Sequence, residues 1–330
     1  MSRTSIKALL LASLSLKAVA ERNTTSYNPS ETLGSSNPEM VVGSYEYRLF
    51  EEGNAHPNAT RSVTFKPFEW FGQEPEIADR EWTWQPEFTE LGPLIDPHVV
   101  NVAYDFSWER GGNMSSALGN STGPFCVSIT SIDYPTNVTN AYTDDNTDSV
   151  DCTPVLGEEC VNAILRDGAN TVGGSYCNGP QTTWSELPEC ASTIGYASDI
   201  SQYPGIGTTN LNSGNSTANA TINGKTVPHP NRESGDGFYS KSSGSVNGTN
   251  TTAYYAATNQ LHVVMMDTQL PDSSGSGGGV GRPNLLCMRV NTTILDETDS
   301  DEGAGPSVRV SLGMMYTAML AAVGSVVFFI

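Results

Sequence analysis

Positive charge is scarce in this chain. Its 16 Lys and Arg stand against 36 Asp and Glu, a formal net charge of -20. Such a surface repels phosphate backbones and anionic headgroups, so nucleic acid is excluded as a partner. Histidine is scarcer still, and the 4 residues, His56, His98, His229 and His262, are scattered singly. Neither H-E-x-x-H nor C-x-x-C occurs, which argues against a metalloprotease or a structural zinc site. His262 lies inside a strand-like segment, where a hydrogen-bonded structural histidine is expected. Nucleotide-binding loops are missing as well. The glycine-rich stretch Ser273 to Gly281 fits neither G-x-G-x-x-G nor the P-loop pattern. No cofactor is expected.

Two further motifs fail on context. Gly119-Asn120-Ser121-Thr122-Gly123 matches G-x-S-x-G by letter, but a nucleophile elbow needs a strand before it and a helix after it. Here polar residues precede and the Phe125 strand follows. Asp144 to Ser149 resembles the opening of a calcium loop, yet Ser149 replaces the turn glycine and Val155 the closing glutamate. A solvated acidic loop is expected, with no metal.

Long apolar runs mark the two ends. Arg3 and Lys7, the stretch Ala8 to Leu16, and Ala18-Val19-Ala20 form the basic, apolar and cleavage regions of a secretory signal peptide over residues 1–20. At the other end stand the small triplet Gly303-Ala304-Gly305, the polar spacer Pro306 to Gly313 and the apolar run Met314 to Ile330. That order directs GPI attachment, with Gly303 as the acceptor and residues 304–330 as the removed propeptide. A membrane-spanning helix needs roughly 20 apolar residues and basic residues to hold its cytoplasmic end. Neither is found here.

The mature segment reads as a secreted glycoprotein. Asn23, Asn58, Asn113, Asn120, Asn137, Asn215, Asn219, Asn247, Asn250 and Asn291 each begin N-x-S/T without proline at x, the acceptor pattern for N-linked glycans. The 6 cysteines, Cys126, Cys152, Cys160, Cys177, Cys190 and Cys287, are even in number and suit disulfides in an oxidising compartment. Cys126 and Cys287 fall in alternating strand segments and are expected to pair. The other cysteines then staple the helical region, with Cys160 bolted to the loop carrying Cys177 or Cys190.

Hydrophobic alternation predicts a mainly β fold, a disulfide-bonded β-sandwich-like ectodomain with a small helical, cysteine-stapled insertion and disordered segments. Strand patterns occupy Ser44 to Phe50, His98 to Trp108, Phe125 to Ile132, Leu261 to Met266 and Leu285 to Val290. In the second of these, Val100, Val102, Tyr104, Phe106 and Trp108 form the inward face and Asn101, Asp105 and Ser107 the outer one. One helix is expected after Thr153-Pro154, lined by Leu156, Cys160, Val161, Ile164 and Leu165 and stopped by Gly168. Residues 21–39 read as a flexible segment and 40–204 as a β-rich domain with the stapled helix. Residues 205–252 read as a Ser/Thr/Asn/Gly-rich linker or insertion, too poor in apolar residues to offset its ordering entropy. Residues 253–295 supply strands that complete the domain, and 296–303 an acidic stalk.

Trp70, Trp82, Trp84 and Trp108 cluster with Glu69, Glu74, Glu76, Glu81, Glu87 and Glu90. Aromatic faces beside carboxylates serve sugar stacking and glycoside hydrolysis, but also plain β cores. Trp82 and Trp84 are the candidate glycan contacts. Their burial is the discriminating observation.

The signal peptide, the dense sequons, the run Cys152-Thr153-Pro154-Val155-Leu156-Gly157-Glu158-Glu159-Cys160-Val161, the phrase Leu187-Pro188-Glu189-Cys190 and the GPI-like tail together resemble the predicted cell-surface glycoproteins of filamentous ascomycete fungi. That resemblance implies no activity, and the eight-cysteine CFEM pattern of heme-handling fungal surface proteins is not met. The expected product is a GPI-anchored glycoprotein on the outer face of the plasma membrane or in the cell wall. Its partners are the membrane, through the lipid anchor, and cell-wall glycans. A structural, protective or glycan-contacting role leads. The competing class is an enzyme, a hydrolase or transferase of wall polysaccharide, for which no catalytic residue can be named.

Overall fold

The computed structural model describes residues 56–295 apart from 73, 91–98, 120–122, 131–133, 170–171, 174–175, 178–179, 181, 195–205, 212–218, 223–224, 229–231, 243–250 and 271–279. The signal peptide, the segment 21–39, the expected strand at Ser44 to Phe50, the stalk 296–303, Gly303 and the propeptide 304–330 lie outside the described residues.

The strands are β1 (Ala59–Thr60), β2 (Val63–Phe65), β3 (Trp82–Glu90), β4 (Val100–Trp108), β5 (Phe125–Thr130), β6 (Val172–Gly173), β7 (Tyr176–Cys177), β8 (Ile206–Asn210), β9 (Asn219–Ile222), β10 (Lys225–Pro228), β11 (Gly237–Ser242), β12 (His262–Leu270), β13 (Val280–Gly281) and β14 (Asn284–Met288). The helices are α1 (Pro75–Ala78), α2 (Met114–Ala117), α3 (Thr136–Ala141), α4 (Thr153–Leu156), α5 (Glu158–Gly168) and α6 (Thr252–Asn259). Antiparallel pairing builds two main sheets. In the first the order is β1-β3-β4-β11, with β2 also on β3; in the second it is β13-β12-β5-β8, with β14 also on β12. Each sheet thus has two central strands, a broken edge strand on one side and a later strand on the other.

The residues that β12 alternates explain how these layers meet. Val264 and Met266 join one apolar cluster with Trp82, Trp84 and Phe106 of the first sheet. Val263 and Met265 point the other way, into a cluster with Leu156, Cys160 and Ile164 of α4 and α5. With a side-chain period of two, one strand can serve two cores. The second sheet therefore carries apolar residues on both faces, which its near-continuous run of Val and Met foreshadows.

Of three disulfides, Cys126–Cys177 and Cys152–Cys287 tie the cysteine-rich region to β5 and β14 of the second sheet, and Cys160–Cys190 joins α5 to the 3-10 turn Pro188–Cys190. They suit an oxidising environment. Cys126 does not pair with Cys287, contrary to the sequence expectation. β12 lies hydrogen-bonded between β5 and β14, so two strand spacings, about 10 Å, separate the two cysteines, and a disulfide spans Cα atoms no further apart than about 7 Å. Cys160, which the spacing left open between two partners, takes Cys190.

Other expectations are corrected in the same region and beyond it. The single expected helix is two, broken at Gly157, whose φ of 77° suits glycine. The second helix, α5, ends at Gly168 as expected, and that glycine is buried against Met265 of β12, where a Cβ would strike the Met265 sulfur. The outer face of β4 is not solvated: Asn101, Ala103 and Asp105 are buried. Within the expected linker 205–252, β8 pairs with β5 and β11 pairs with β4, and Phe238 and Tyr239 enter the core. Polar composition hid these strands because their pairing partners, β5 and β4, are remote in sequence.

Candidate functional site

Tryptophan position decides the leading site hypothesis. Trp82 and Trp84 alternate along β3 and are both 0% exposed. Trp82 stacks on Phe125 with centroids 5.4 Å apart and meets Trp108 at 4.9 Å and the edge of Phe68 at 5.6 Å. Trp84 meets Tyr104 edge-on at 5.8 Å. A ring with no accessible surface offers no platform to a sugar, so the glycan-contact expectation for both residues is withdrawn. Trp108 and Trp184 are buried too. Trp70, between β2 and α1, keeps partial exposure, with the Arg282 guanidinium 5.5 Å from its ring centroid. The sequence pattern places Trp70 in the cluster but singles out Trp82 and Trp84 as the contacts. The place of Trp70 outside any alternating strand was the available signal.

The neighbouring carboxylates divide by environment. Glu69, Glu76 and Glu81 are exposed, Glu74 and Glu90 half-buried, and Glu87 is buried, accepting from Gln85 Nε2 at 2.7 Å. The acids flank a core rather than a groove floored by indoles.

A buried polar pair joins the sheets. His262 Nε2 lies 3.0 Å from the Ala257 carbonyl and Nδ1 lies 2.5 Å from the Tyr104 hydroxyl. A carbonyl only accepts, so Nε2 carries the proton, and in the neutral ring Nδ1 accepts from the phenol. The ring also packs against Phe88, 5.2 Å between centroids. Burial pushes the Tyr104 phenol well above its ordinary value, with Tyr239 and Tyr134 acting in the same direction. Both members of the pair are buried, so this arrangement ties β4, β12 and α6 together instead of meeting a substrate.

Arg289, just past β14, forms a second buried hub. Its Nε donates to the Asn259 carbonyl at 2.6 Å, Nη1 to Thr139 at 3.2 Å and Nη2 to Thr293 at 2.5 Å. Burial lowers its pKa to about 10, and the side chain remains a cation at neutral pH. Sequence periodicity could not have found it, because its partners come from three separate segments.

The remaining motifs stay structural. Described residues around the G-x-S-x-G match run from α2 into β5, the reverse of an elbow. At Asp144 the backbone forms a short 3-10 turn capped reciprocally by Thr143 and Asn146, and the Asp144 carboxylate accepts from Thr292. Among the described residues no group of three or more His, Cys, Asp or Glu could hold a metal ion, and no helix is long and apolar enough to cross a membrane.

Sequons lie on several elements. Asn58, Asn113 and Asn137 are exposed and Asn291 is half-buried. Where bonded, the carboxamide uses its oxygen: Asn58 accepts from the Glu90 amide at 2.6 Å, Asn113 from the Ser116 amide at 2.9 Å, and Asn291 from the Thr293 amide at 3.1 Å. Nδ2, the atom that takes a glycan, is thereby left for modification. Asn219 belongs to β9, and Asn23, Asn120, Asn215, Asn247 and Asn250 lie outside the described residues. Comparison with protein-family models, with curated proteins and with solved structures returns no match.

Proposed function

We propose that this chain is an N-glycosylated, β-sandwich-like ectodomain, held on the outer face of a plasma membrane or in a cell wall by a GPI anchor at Gly303. Its role is structural or protective. The observation that carries this reading is the set of exposed acceptor asparagines, Asn58, Asn113 and Asn137, on a scaffold cross-linked by three disulfides. Burial of Trp82 and Trp84 moves the role away from sugar recognition through those indoles. The membrane is a partner through the lipid alone, and wall glycans are neighbours of a sugar-coated, acidic surface.

Expression of the full chain in a secretory host tests it. Peptide N-glycosidase should raise gel mobility, phosphatidylinositol-specific phospholipase C should release the protein from membranes, and mass spectrometry should find a C-terminus at Gly303. A mature protein that keeps Met314 to Ile330 and carries no glycan refutes the reading.

A further inference from the structure

We propose that Asn137 and Asn291 take their glycans on opposite sides of the folding step: Asn137 only while its segment is unfolded, Asn291 after folding as well. The inference rests on the reading that these sequons are used. In the transfer, Asn Nδ2 bonds to the anomeric carbon of a lipid-linked oligosaccharide. The anomeric carbon–oxygen bond breaks, lipid diphosphate leaves, and Nδ2 gives up one proton. The transferase must reach both the asparagine and the hydroxyl two residues on, which is why the acceptor pattern is N-x-S/T.

Exposure of the asparagine alone ranks the two sites wrongly. Asn137 is exposed, but its sequon is wound into α3. The required hydroxyl belongs to Thr139, which is 2% exposed, donates to the Tyr134 carbonyl at 3.4 Å, and has its own carbonyl held by Arg289. Once α3 is docked, a transferase can reach Nδ2 but not the hydroxyl. Asn291 is the opposite case. Its sequon lies outside helix and strand, Thr293 is exposed, and the Thr293 hydroxyl already donates to the Asn291 carboxamide oxygen at 2.7 Å. The folded chain presents carboxamide and hydroxyl together.

The same buried cation fixes both segments, since Arg289 binds the carbonyls of Thr139 and Thr293, and Cys287 is bonded to Cys152 just upstream. Oxidative closure of that bridge docks the region, so it should end the period in which Asn137 accepts.

The test translates the full chain into microsomes depleted of lipid-linked oligosaccharide, lets synthesis finish, and then restores the donor with or without dithiothreitol. Glycopeptide mass spectrometry reads occupancy at each asparagine. Without reductant, Asn291 should gain at least tenfold more glycan than Asn137; with reductant, both should accept. Comparable gain at both sites without reductant overturns the inference, as does an Asn137 that stays unmodified with reductant while Asn291 accepts. Failure of both sites in every arm, and in microsomes never depleted of donor, overturns the underlying reading and this inference with it.

Discussion

Replacing Trp82 by alanine should remove the centre of the aromatic core. The side chain is fully buried against Phe68, Phe106, Trp108 and Phe125. An indole takes about 200 Å² out of water, worth about 5 kcal/mol at about 25 cal/mol per Å². Alanine keeps the Cβ and the neighbours relax in part, so the expected loss is about 3 to 5 kcal/mol. For a chain of this size that lowers Tm by about 6 to 20 °C, at about 2 to 4 °C per kcal/mol. Trp82→Phe should behave differently. The indole Nε1 is buried without a partner among the described residues, and an orphan donor costs about 1 to 3 kcal/mol. Phenylalanine leaves a smaller void and removes that penalty, so the two changes should nearly cancel. Urea unfolding of the purified protein, followed by far-UV circular dichroism, measures both variants. A loss below about 1 kcal/mol for Trp82→Ala would refute the packing argument, and a Trp82→Phe as unstable as the alanine variant would refute the orphan-donor argument.

Further outcomes follow from the bridges, the helix and the buried pair. Removing both cysteines of Cys152–Cys287, 135 residues apart, should cost about 5 kcal/mol through loop entropy in the unfolded chain, against about 3.6 kcal/mol for Cys160–Cys190 at a separation of 30; calorimetry giving the reverse order would exclude that origin. Gly168→Ala should destabilise by about 1 to 3 kcal/mol, although helix propensity alone favours alanine by about 1 kcal/mol, because the new methyl meets Met265; a rise in Tm would show that Met265 yields freely. Tyr104→Phe and His262→Phe should each be destabilising, and the double variant less so than their sum, because each single change strands a buried partner; strict additivity in chemical unfolding would deny the hydrogen bond. Because burial raises the folded-state pKa of Tyr104 and Tyr134 above the ordinary 10.0, their contribution is intact below pH 10 and is lost as pH climbs toward the folded values; ultraviolet titration should find phenols that ionise only as the protein unfolds, and a native chain in which all tyrosines titrate together would contradict their burial.

Alternation along Val100 to Trp108, Phe125 to Thr130 and His262 to Met266 was enough to predict strands, because a period of two is a local property of the chain. The buried face of Cys160 was readable for the same reason, from a period of 3.6. Local pattern failed where the surroundings come from elsewhere. Gly237–Ser242 and Ile206–Asn210 look like linker in isolation, yet positions beside β4 and β5, remote in sequence, supply the partners for their backbone hydrogen bonds. The candidate site failed similarly: alternation places Trp82 and Trp84 on one face, but not whether that face meets solvent or a second sheet.

Charge, sequons, cysteine number and the two apolar ends are properties of composition and order, so the sequence alone determined the expected address and the excluded partners. Which cysteines bond, which indole keeps surface and which sequon hides its hydroxyl are properties of distance between remote segments. Only the tertiary structure decided those. β12 between β5 and β14 separates Cys126 from Cys287, the facing sheet covers Trp82 and Trp84, and Arg289 gathers the carbonyls of Asn259, Thr139 and Thr293. No local pattern encodes any of these, because each depends on two or more segments meeting in the folded core.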